Sequence, residues 1–393
     1  MKRLRTKRGK RRGTVLVMTA VLLPVMLGLV ALSVDMGYIV VVQGQLQNTA
    51  DAAALAGVSV LPRSQVMTVG NSANLAASQN AAILAARAKV RHFSAINFAG
   101  GVSVTIPSSR DSDIVVGYQA RPGGSITPTS PPDANFPNAV QVTVRRDGNA
   151  NTPLALFFAP AIGAGPWSGQ ATATAMVQGA VNSVRSIPNV NGLFLPIAID
   201  YASWNAFMTT GLSPDGLRHD NYSVIPPTST YTAPGNVTGN ADQIPEFVDP
   251  NFPGKTGAPG AFGWISVGQS TGVSALSNYI TNGESASDIA WLLSNGLLPL
   301  PAGGWLSEPG NNGGATGTLP SIIGLPREIM LYDSITSNGS NAYYHIVGFA
   351  GVTLVNAGNG ITFQPTVVID PTAVTGPGGG SSSFVFSPVK LTQ

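Results

Sequence analysis

The chain has 393 residues, only 10% of them charged, and a formal net charge of +3. It contains no cysteine, which excludes disulfide bonds, thiolate metal sites and cysteine nucleophiles. Gly and Pro are abundant, at 46 and 30 residues, which suits β-rich domains with many loops. The length is sufficient for two folded regions in addition to a membrane anchor.

The positive charge is concentrated at the N-terminus. Eight of the 21 Lys and Arg residues fall within residues 1–12, which leaves 13 basic against 18 acidic residues in the remainder. Residues 13–34 follow as an uncharged, mostly apolar run, long enough as a helix to cross the ~30 Å hydrocarbon core of a bilayer. We therefore predict a basic cytoplasmic tail at 1–12 and a transmembrane helix at 13–34. The tail is interpreted as a topology and lipid signal, not a nucleic-acid site.

A cleavable secretory signal is the alternative interpretation of the same run. Ala31 and Ser33 have the small-x-small spacing of a cleavage site, but the apolar core of a signal is only about 7–15 residues long. The length favours a retained single-pass anchor in the cytoplasmic membrane, with the bulk of the chain extracytoplasmic.

The helical pattern continues past the apolar run. Asp35 is expected at the outer interface, either solvated or as an intramembrane pairing group. Residues 43–60 have apolar and small residues at helical spacing. This face packs either on its own domain, which we favour, or against a partner subunit. The residues that define it are Val42, Leu46, Ala50, Ala53 and Gly57.

Further along, the pattern predicts an α+β region over residues 35–181. A second helix is expected at Ser72–His92, with Asn71 or Ser72 as its cap. Period-two alternation and apolar runs then predict antiparallel strands at 102–106, 114–118, 139–145 and 169–177, with a turn at 108–111. The overall expectation is an α+β fold, with a transmembrane helix that continues into a domain of helices and an antiparallel sheet.

A second, β-rich and loop-rich domain is predicted over residues 190–374. Strands are expected at 193–199, 328–332, 343–355 and 361–369, with an amphipathic helix at 285–294 and a polar tract at 213–260. The Gly/Ser-rich segment predicts a flexible tail over residues 375–393.

No catalytic, cofactor-binding or metal-binding residues are predicted. The three histidines, His92, His219 and His345, form no zinc pattern, and neither a GxSxG elbow nor a phosphate-binding loop occurs. Asp111 and Asp113 are interpreted as a solvated turn and not as a calcium loop. The remaining candidates, three tryptophans, are interpreted as core or loop-anchoring residues and not as a sugar platform: Trp264, Trp291 and Trp305.

Residues 11–57 (RRGTVLVMTAVLLPVMLGLVALSVDMGYIVVVQGQLQNTADAAALAG) resemble the N-terminal domain of the TadE/TadG-like Flp pilus-assembly (Tad) family. The match consists of a basic tail, a Gly, an apolar run with Leu-Pro, Val-Asp-x-Gly and a closing LQ-x-x-ADAAALAG. Weaker similarity continues at 156–163 and 171–175, and parts of 260–351 look like a C-terminal portion of some Tad-type proteins. The resemblance implies a bitopic pilus-assembly component with a pilin-like extracytoplasmic domain, anchored in the cytoplasmic membrane and acting outside it. The associated process is adhesion or secretion through the Tad machinery, and no enzymatic activity is predicted.

Two features of the family are absent. Met18 stands where processed pilin-like members have Glu five residues after the Gly, so prepilin-peptidase cleavage after Gly13 is not expected. Some TadG-type members carry a metal-binding Asp-x-Ser-x-Ser in a von Willebrand A domain. The nearest segment here, Asp333–Ser337, has Ile335 at the first Ser position, so no metal is assigned.

The sequence therefore predicts a membrane-anchored structural component of a Tad pilus or secretion system, which acts by protein–protein packing outside the cytoplasmic membrane. Its expected partners are the membrane and other assembly proteins. The alternative is an exported, adhesin-like module that recognises carbohydrate or matrix. A third hypothesis, an extracytoplasmic hydrolase, would need His345 bonded to both a Ser hydroxyl and an Asp.

Overall fold

The structure is a computed structural model that describes residues 12–70, 72–219, 244–249, 262–296, 298, 304–307, 313–336, 342–358, 360–376 and 382–392. The predicted basic tail, apart from Arg12, lies outside the described residues. So do most of the polar tract at 213–260 and part of the Gly/Ser-rich segment.

The described residues form two compact units, each built from separate stretches of the chain. The first comprises residues 12–53, 90–114 and 142–173, and the second comprises the described parts of 54–89, 115–141 and 174–393. The domain boundaries predicted from the sequence remain predictions, because this division follows spatial contacts and passes through several helices and strands.

A long helix begins the described chain. α1 (Arg12–Val58) spans 47 residues, about 70 Å at 1.5 Å per residue, and Pro24 lies inside it. After a short helix comes α3, whose Ala-rich sequence has a high helix propensity. The predicted start at Ser72 was early, because residues 72–74 form a 3-10 turn. The other helices of this part are α2 (Leu61–Gln65), α3 (Leu75–Ala95) and the 3-10 turns Val66–Thr68 and Ser72–Asn74.

A sheet follows, as the alternation predicted. Its strands lie in the order β18-β6-β5-β3-β4, with β6 antiparallel to β18 and β3 antiparallel to β4. They are β3 (Ile114–Tyr118), β4 (Thr127–Pro128), β5 (Ala139–Arg146), β6 (Gly169–Met176) and β18 (Lys390–Leu391). The strand predicted at 102–106 is present only as a two-residue strand, and the predicted turn at 108–111 is a 3-10 helix. These elements are β1 (Phe98–Ala99), β2 (Val102–Ser103) and the 3-10 helix Ser108–Asp113.

A second, mixed sheet dominates the second unit. Its strands lie in the order β10-β8-β12-β13-β14-β9, with β11 pairing β13. β8 and β12 are parallel, whereas β12, β13 and β14 are antiparallel neighbours. The strands are β8 (Phe194–Asp200), β9 (Phe247–Asp249), β10 (Phe262–Trp264), β11 (Trp305–Ser307), β12 (Pro326–Ile335), β13 (Tyr343–Asn356) and β14 (Ile361–Pro365).

Helices cover this sheet and contribute to one apolar core. α4 begins where Asp200 accepts a hydrogen bond from the Ser203 amide, and α6 begins with a capping box between Ser285 and Asp288. Trp204 and Phe207 of α4 are buried in the core with Phe194 and Phe349. The helices are α4 (Tyr201–Thr210), α5 (Val273–Asn282), α6 (Ala286–Ser294) and the 3-10 helix Gly313–Ile322.

The segment predicted as a flexible tail contains ordered strands. β17 pairs with β15 and buries Val385 and Phe386, and β18 pairs with β6. The remaining short strands are β7 (Val181–Val184), β15 (Val368–Ile369), β16 (Ala373–Thr375) and β17 (Val385–Phe386). A long apolar helix, helices on antiparallel strands and a β-rich second part confirm the α+β prediction.

Candidate membrane anchor and assembly site

The first half of α1 is apolar on all sides and unburied. Its most apolar part has a mean hydropathy of 2.7 and is 0% buried, and it is the one helix among the described residues that is long and apolar enough to cross a membrane. Thr19 and Ser33 donate their hydroxyls to Val15 O and Leu29 O, four residues earlier. These polar groups are therefore satisfied within the helix, as a bilayer requires. The properties of this helix fit a single-pass transmembrane anchor.

Asp35 is the first charged residue after the apolar run, and it is 4% exposed. Its Oδ1 accepts a hydrogen bond from the Phe157 amide at 2.9 Å. Its Oδ2 accepts from Phe158 N at 3.0 Å and from Ala159 N at 2.7 Å. The carboxylate thus caps the N-terminus of the 3-10 helix Ala159–Ile162. The sequence left open a solvated Asp or an intramembrane pairing group. The structure shows a buried carboxylate that pairs with backbone amides of the same chain.

The segment that Asp35 holds is apolar and exposed. Gly163 ends the 3-10 helix at φ +74°, and Tyr38 of α1 packs its ring 5.1 Å from the ring of Phe157. The family-like residues 156–163 carry no local signal that they meet Asp35, because 122 residues separate Phe157 from it. The two family-like segments are therefore joined only by the fold.

The small-residue face of α1 is buried inside the chain. Val42, Leu46, Ala50, Ala53 and Ala54 are all 0% exposed. The favoured interpretation, packing on the protein's own domain, is confirmed, and the alternative of a partner-binding face at Ala53 and Ala54 is wrong. The physical reason is that these small side chains allow elements of the same chain to approach closely.

Three glutamines connect the outer part of α1 to the rest of the first unit. Gln43 Nε2 donates to Gln170 O at 3.0 Å, and Gln45 Oε1 accepts from Gly100 N at 2.8 Å. Gln47 Nε2 donates to Asp51 Oδ1 at 2.8 Å within the helix and to Thr172 O of β6 at 3.4 Å. α1 is therefore bonded to β6 and to the turn after β1.

Asp111 and Asp113, the two carboxylates considered as calcium ligands, form ion pairs with arginines. Arg91 forms an ion pair with Asp111. Asp113 accepts from Arg110 Nε at 2.8 Å and from Arg145 Nη2 at 3.0 Å. Burial opposes ionisation of Asp113, but the hydrogen bonds from Arg145 and Arg110 lower its pKa overall. These side chains form a structural ion network, although the segment is a 3-10 helix and not the predicted solvated turn.

Two of the three histidines bond to aspartates. His345 Nδ1 lies 2.7 Å from Asp333 Oδ1, and the hydroxyl of Ser334 bonds to the same carboxylate and not to the imidazole. His219 bonds to Asp215. Within the described part of the chain, no group of three His, Asp or Glu side chains is arranged to hold a metal ion. The geometry required by the hydrolase hypothesis is therefore not formed at His345.

The tryptophans differ in their surroundings. Trp264 is 8% exposed, and Trp305 is 41% exposed with its ring 5.1 Å from that of His345.

A cleft of about 610 Å³ in the second unit is lined by Tyr118, Phe136 and Phe386 among others. None of its lining residues belongs to residues 190–374, where a ligand-binding domain was considered.

Two buried glutamates in the second unit are unusual. Glu284 Oε2 accepts from Phe194 N at 3.1 Å, whereas both oxygens of Glu328 have no hydrogen-bond partner among the described residues. Burial raises the pKa of Glu284 and the pKa of Glu328 well above the ordinary value of a glutamate. The negative charges of Asp370 and Glu284 raise the pKa of Glu328 further. No local sequence pattern signals these groups, because burial of a charged residue is decided by tertiary packing.

Two family models match the N-terminal part of the chain. Residues 13–60 match the Tad family, described as Flp pilus-assembly TadE/G-like, and residues 44–175 match the Tad_C family, described as Tad-like Flp pilus-assembly. No curated protein and no solved structure matches the chain. The matched residues include Asp35, the segment it caps and the glutamines of α1. Residues 13–175 of this chain are therefore similar to the TadE/G-like and Tad-like Flp pilus-assembly families, which supports a role as a pilus-assembly component.

Proposed function

We propose that the chain is a single-pass component of a Tad pilus or secretion machine, anchored in the cytoplasmic membrane by α1 with its N-terminus inside. The observation that carries the proposal is the unburied apolar part of α1, which ends at Asp35. In water this surface would be costly to expose, whereas in a bilayer it is matched to the hydrocarbon core. The basic residues at 1–12 favour the cytoplasmic side for the N-terminus.

The proposed mechanism is structural. Asp35 and the glutamines of α1 fix the first unit to the helix that crosses the membrane, so that the extracytoplasmic part has a defined position relative to the lipid surface. Packing against other assembly proteins then takes place outside the membrane, on surfaces other than the small-residue face of α1. The chain's role needs no reaction step, and no residue is assigned a catalytic function.

Topology is tested with single cysteines, because the chain has none of its own. We expect a membrane-impermeant maleimide to label Ser59→Cys, which lies at an exposed position, in intact spheroplasts. Thr6→Cys should be labelled only after permeabilisation, and both variants should remain in the membrane after carbonate washing. Labelling of Thr6→Cys in intact spheroplasts, or release of full-length chain by carbonate, would contradict the proposal.

The assembly role is tested by complementation. A strain that lacks the protein should lose surface pili in electron micrographs, and the full chain should restore them. A variant in which residues 1–34 are replaced by a cleavable secretory signal should not restore them, because its body would be exported but not anchored. Restoration by that released variant would favour the exported binding module.

A further inference from the structure

A short apolar loop lies beside the outer end of the membrane helix. This loop, residues 155–163, is held by three backbone amides that donate to Asp35. Its position is therefore set by residue 35 of α1, one residue beyond the uncharged run 13–34. If α1 spans the bilayer, the loop lies at the level of the outer lipid interface.

Three bulky apolar side chains of the loop are largely exposed. Phe157 is 66% exposed, Phe158 46% and Ile162 76%. The surrounding residues 153–168 (PLALFFAPAIGAGPWS) include no charged residue. An exposed apolar cluster of this kind in a loop marks an interaction surface.

The apolar surface of the loop is accompanied by that of the helix next to it. Met36, Val40 and Val41 of α1 are 55%, 69% and 57% exposed just beyond Asp35. Together they extend the apolar surface of the membrane-spanning part. Aromatic and bulky apolar side chains at the end of a membrane span are typical of residues that partition into the lipid interface.

We propose that the loop 155–163 inserts Phe157, Phe158 and Ile162 into the outer interface of the bilayer that α1 crosses, as a second membrane contact. This inference rests on the proposed anchor and adds a lipid-binding element to it. The occupant is lipid because the surface is uncharged and adjoins the membrane-spanning surface of α1 at a depth set by Asp35. The buried Asp35 carboxylate is compatible with this depth, because its hydrogen bonds to the loop amides reduce the cost of placing a charge near lipid.

A second membrane contact would restrict how the first unit tilts on its anchor. One helix leaves rotation and tilt of the attached domain to lipid and to neighbouring proteins. A loop embedded beside the helix, and bonded to it through Asp35, would present the rest of the first unit to partners at a fixed angle. The consequence is mechanical: the unit would be oriented before any other assembly protein binds.

The test uses the full-length protein in vesicles of phosphatidylethanolamine and phosphatidylglycerol. Ile162→Cys carries an environment-sensitive nitrobenzoxadiazole label, and nitroxide lipids act as quenchers. Because Asp35 binds backbone amides, a side-chain substitution at Ile162 leaves the cap in place. We expect a blue-shifted emission and quenching several-fold stronger than at a matched exposed position, Phe98→Cys.

Phe98 is a suitable control because it is 60% exposed in the same unit and, if α1 spans the bilayer, is expected to lie further from the lipid. Gly100, two residues later, is bonded to Gln45, ten residues beyond Asp35 on α1 and roughly 15 Å along the helix. Val21→Cys, within the apolar run, reports the anchor itself and should be quenched by deep nitroxides.

The outcomes separate the two proposals. If Val21 is quenched but Ile162 is quenched no more than Phe98, the loop insertion is overturned and the anchor stays intact. The same result is expected if the loop binds a partner protein and not lipid. Absence of quenching at Val21 would overturn the anchor and, with it, the membrane contact of the loop. Strong quenching at Val21 and Ile162, but not at Phe98, supports both.

Discussion

The Asp35 carboxylate accepts a 2.7 Å hydrogen bond from the amide of Ala159, 124 residues later in the chain. With the amides of Phe157 and Phe158 on the same carboxylate, this contact joins the end of the membrane-length apolar run to the start of a 3-10 helix. The acidic residue that follows the apolar run is therefore a structural connection between the anchor and the folded domain. Both partners lie in the region matched by the Tad families.

Asp35→Ala should loosen the loop it caps. The substitution leaves three amides without their acceptor, at an expected cost of about 1–3 kcal/mol, so the amides of residues 157–159 should exchange hydrogen roughly tenfold faster or more. Asp35→Asn, which keeps one acceptor oxygen, should have an intermediate effect. Hydrogen exchange of the full-length protein in nanodiscs measures this.

Asp51→Ala is the matched control, because its carboxylate on the same helix accepts from the side chain of Gln47. It should leave exchange at residues 157–159 unchanged. Equal protection of those amides in wild type and Asp35→Ala would show that the cap does not stabilise the loop.

Gly100 and Gly101 form a matched pair for backbone and packing strain. Both have positive φ, +58° and +78°, so alanine costs about 1–2 kcal/mol at either site. A Cβ on Gly100 would also lie 2.7 Å from Arg146 Nη1 and 2.8 Å from Leu154 Cδ1, whereas one on Gly101 meets nothing within 4 Å. Gly100→Ala should therefore lower the free energy of unfolding by about 1–3 kcal/mol more than Gly101→Ala in denaturant titrations. Equal losses would argue that Arg146 and Leu154 move aside freely.

Arg146 is a buried arginine that donates hydrogen bonds to backbone carbonyls. It is 4% exposed, and its guanidinium donates to Ala99 O at 2.8 Å, Gly100 O at 3.2 Å and Thr152 O at 3.1 Å. Lysine has no planar fork to reach these carbonyls together, so Arg146→Lys should lower the free energy of unfolding by about 1–3 kcal/mol.

The neighbouring Arg145 provides the control for this substitution. Its more exposed side chain pairs with Asp113, and a lysine there still supplies a positive charge. Arg145→Lys should lose less than about 1 kcal/mol. A loss at Arg145 equal to that at Arg146 would contradict the assigned role of the buried guanidinium.

Glu328→Gln should change the pH dependence of stability. Burial, with repulsion from Asp370 and Glu284, raises the pKa of Glu328 well above 4.5 in the folded protein. The folded state therefore binds this proton more tightly than the unfolded state. Its stabilising contribution is full below about pH 4.5 and is lost as pH rises through the folded pKa. Glutamine stays neutral, so denaturant titrations across pH should show a smaller loss of stability toward neutral pH.

Asp333→Asn should act at the opposite end of the pH range. Burial opposes its ionisation, but the hydrogen bond to His345 lowers the pKa of Asp333 below its ordinary 3.8, so its contribution is present above that pH and lost as pH falls. The asparagine variant should lack this contribution at neutral and alkaline pH, and its stability should fall less than that of wild type as pH falls through the acid range. An unaltered pH profile in Glu328→Gln would show that the buried carboxyl does not titrate as described.

Local sequence signals predicted the elements that depend on neighbouring residues. The strand Ala139–Arg146 and the helix Ala286–Ser294 were anticipated closely, because period-two alternation and an amphipathic helical pattern are visible in a few residues. Helices α4 and α5 were not predicted, although Asp200 and Gly211 at the ends of α4 were available as signals. Their short apolar patterns were too brief to distinguish from the surrounding loops, and burial against the second sheet stabilises them.

By itself, the sequence determined the uncharged helical span, its basic flank and the α+β class, because a helix satisfies its own backbone hydrogen bonds and its apolar length is a local property. Only the tertiary structure decided which groups meet: Asp35 with the loop amides, the small face of α1 with its own core, and Glu328 with an apolar interior. These pairings join residues far apart in the chain, and no local pattern encodes which distant group will satisfy a given donor or acceptor. Their free energies depend on burial, which exists only once the chain is folded.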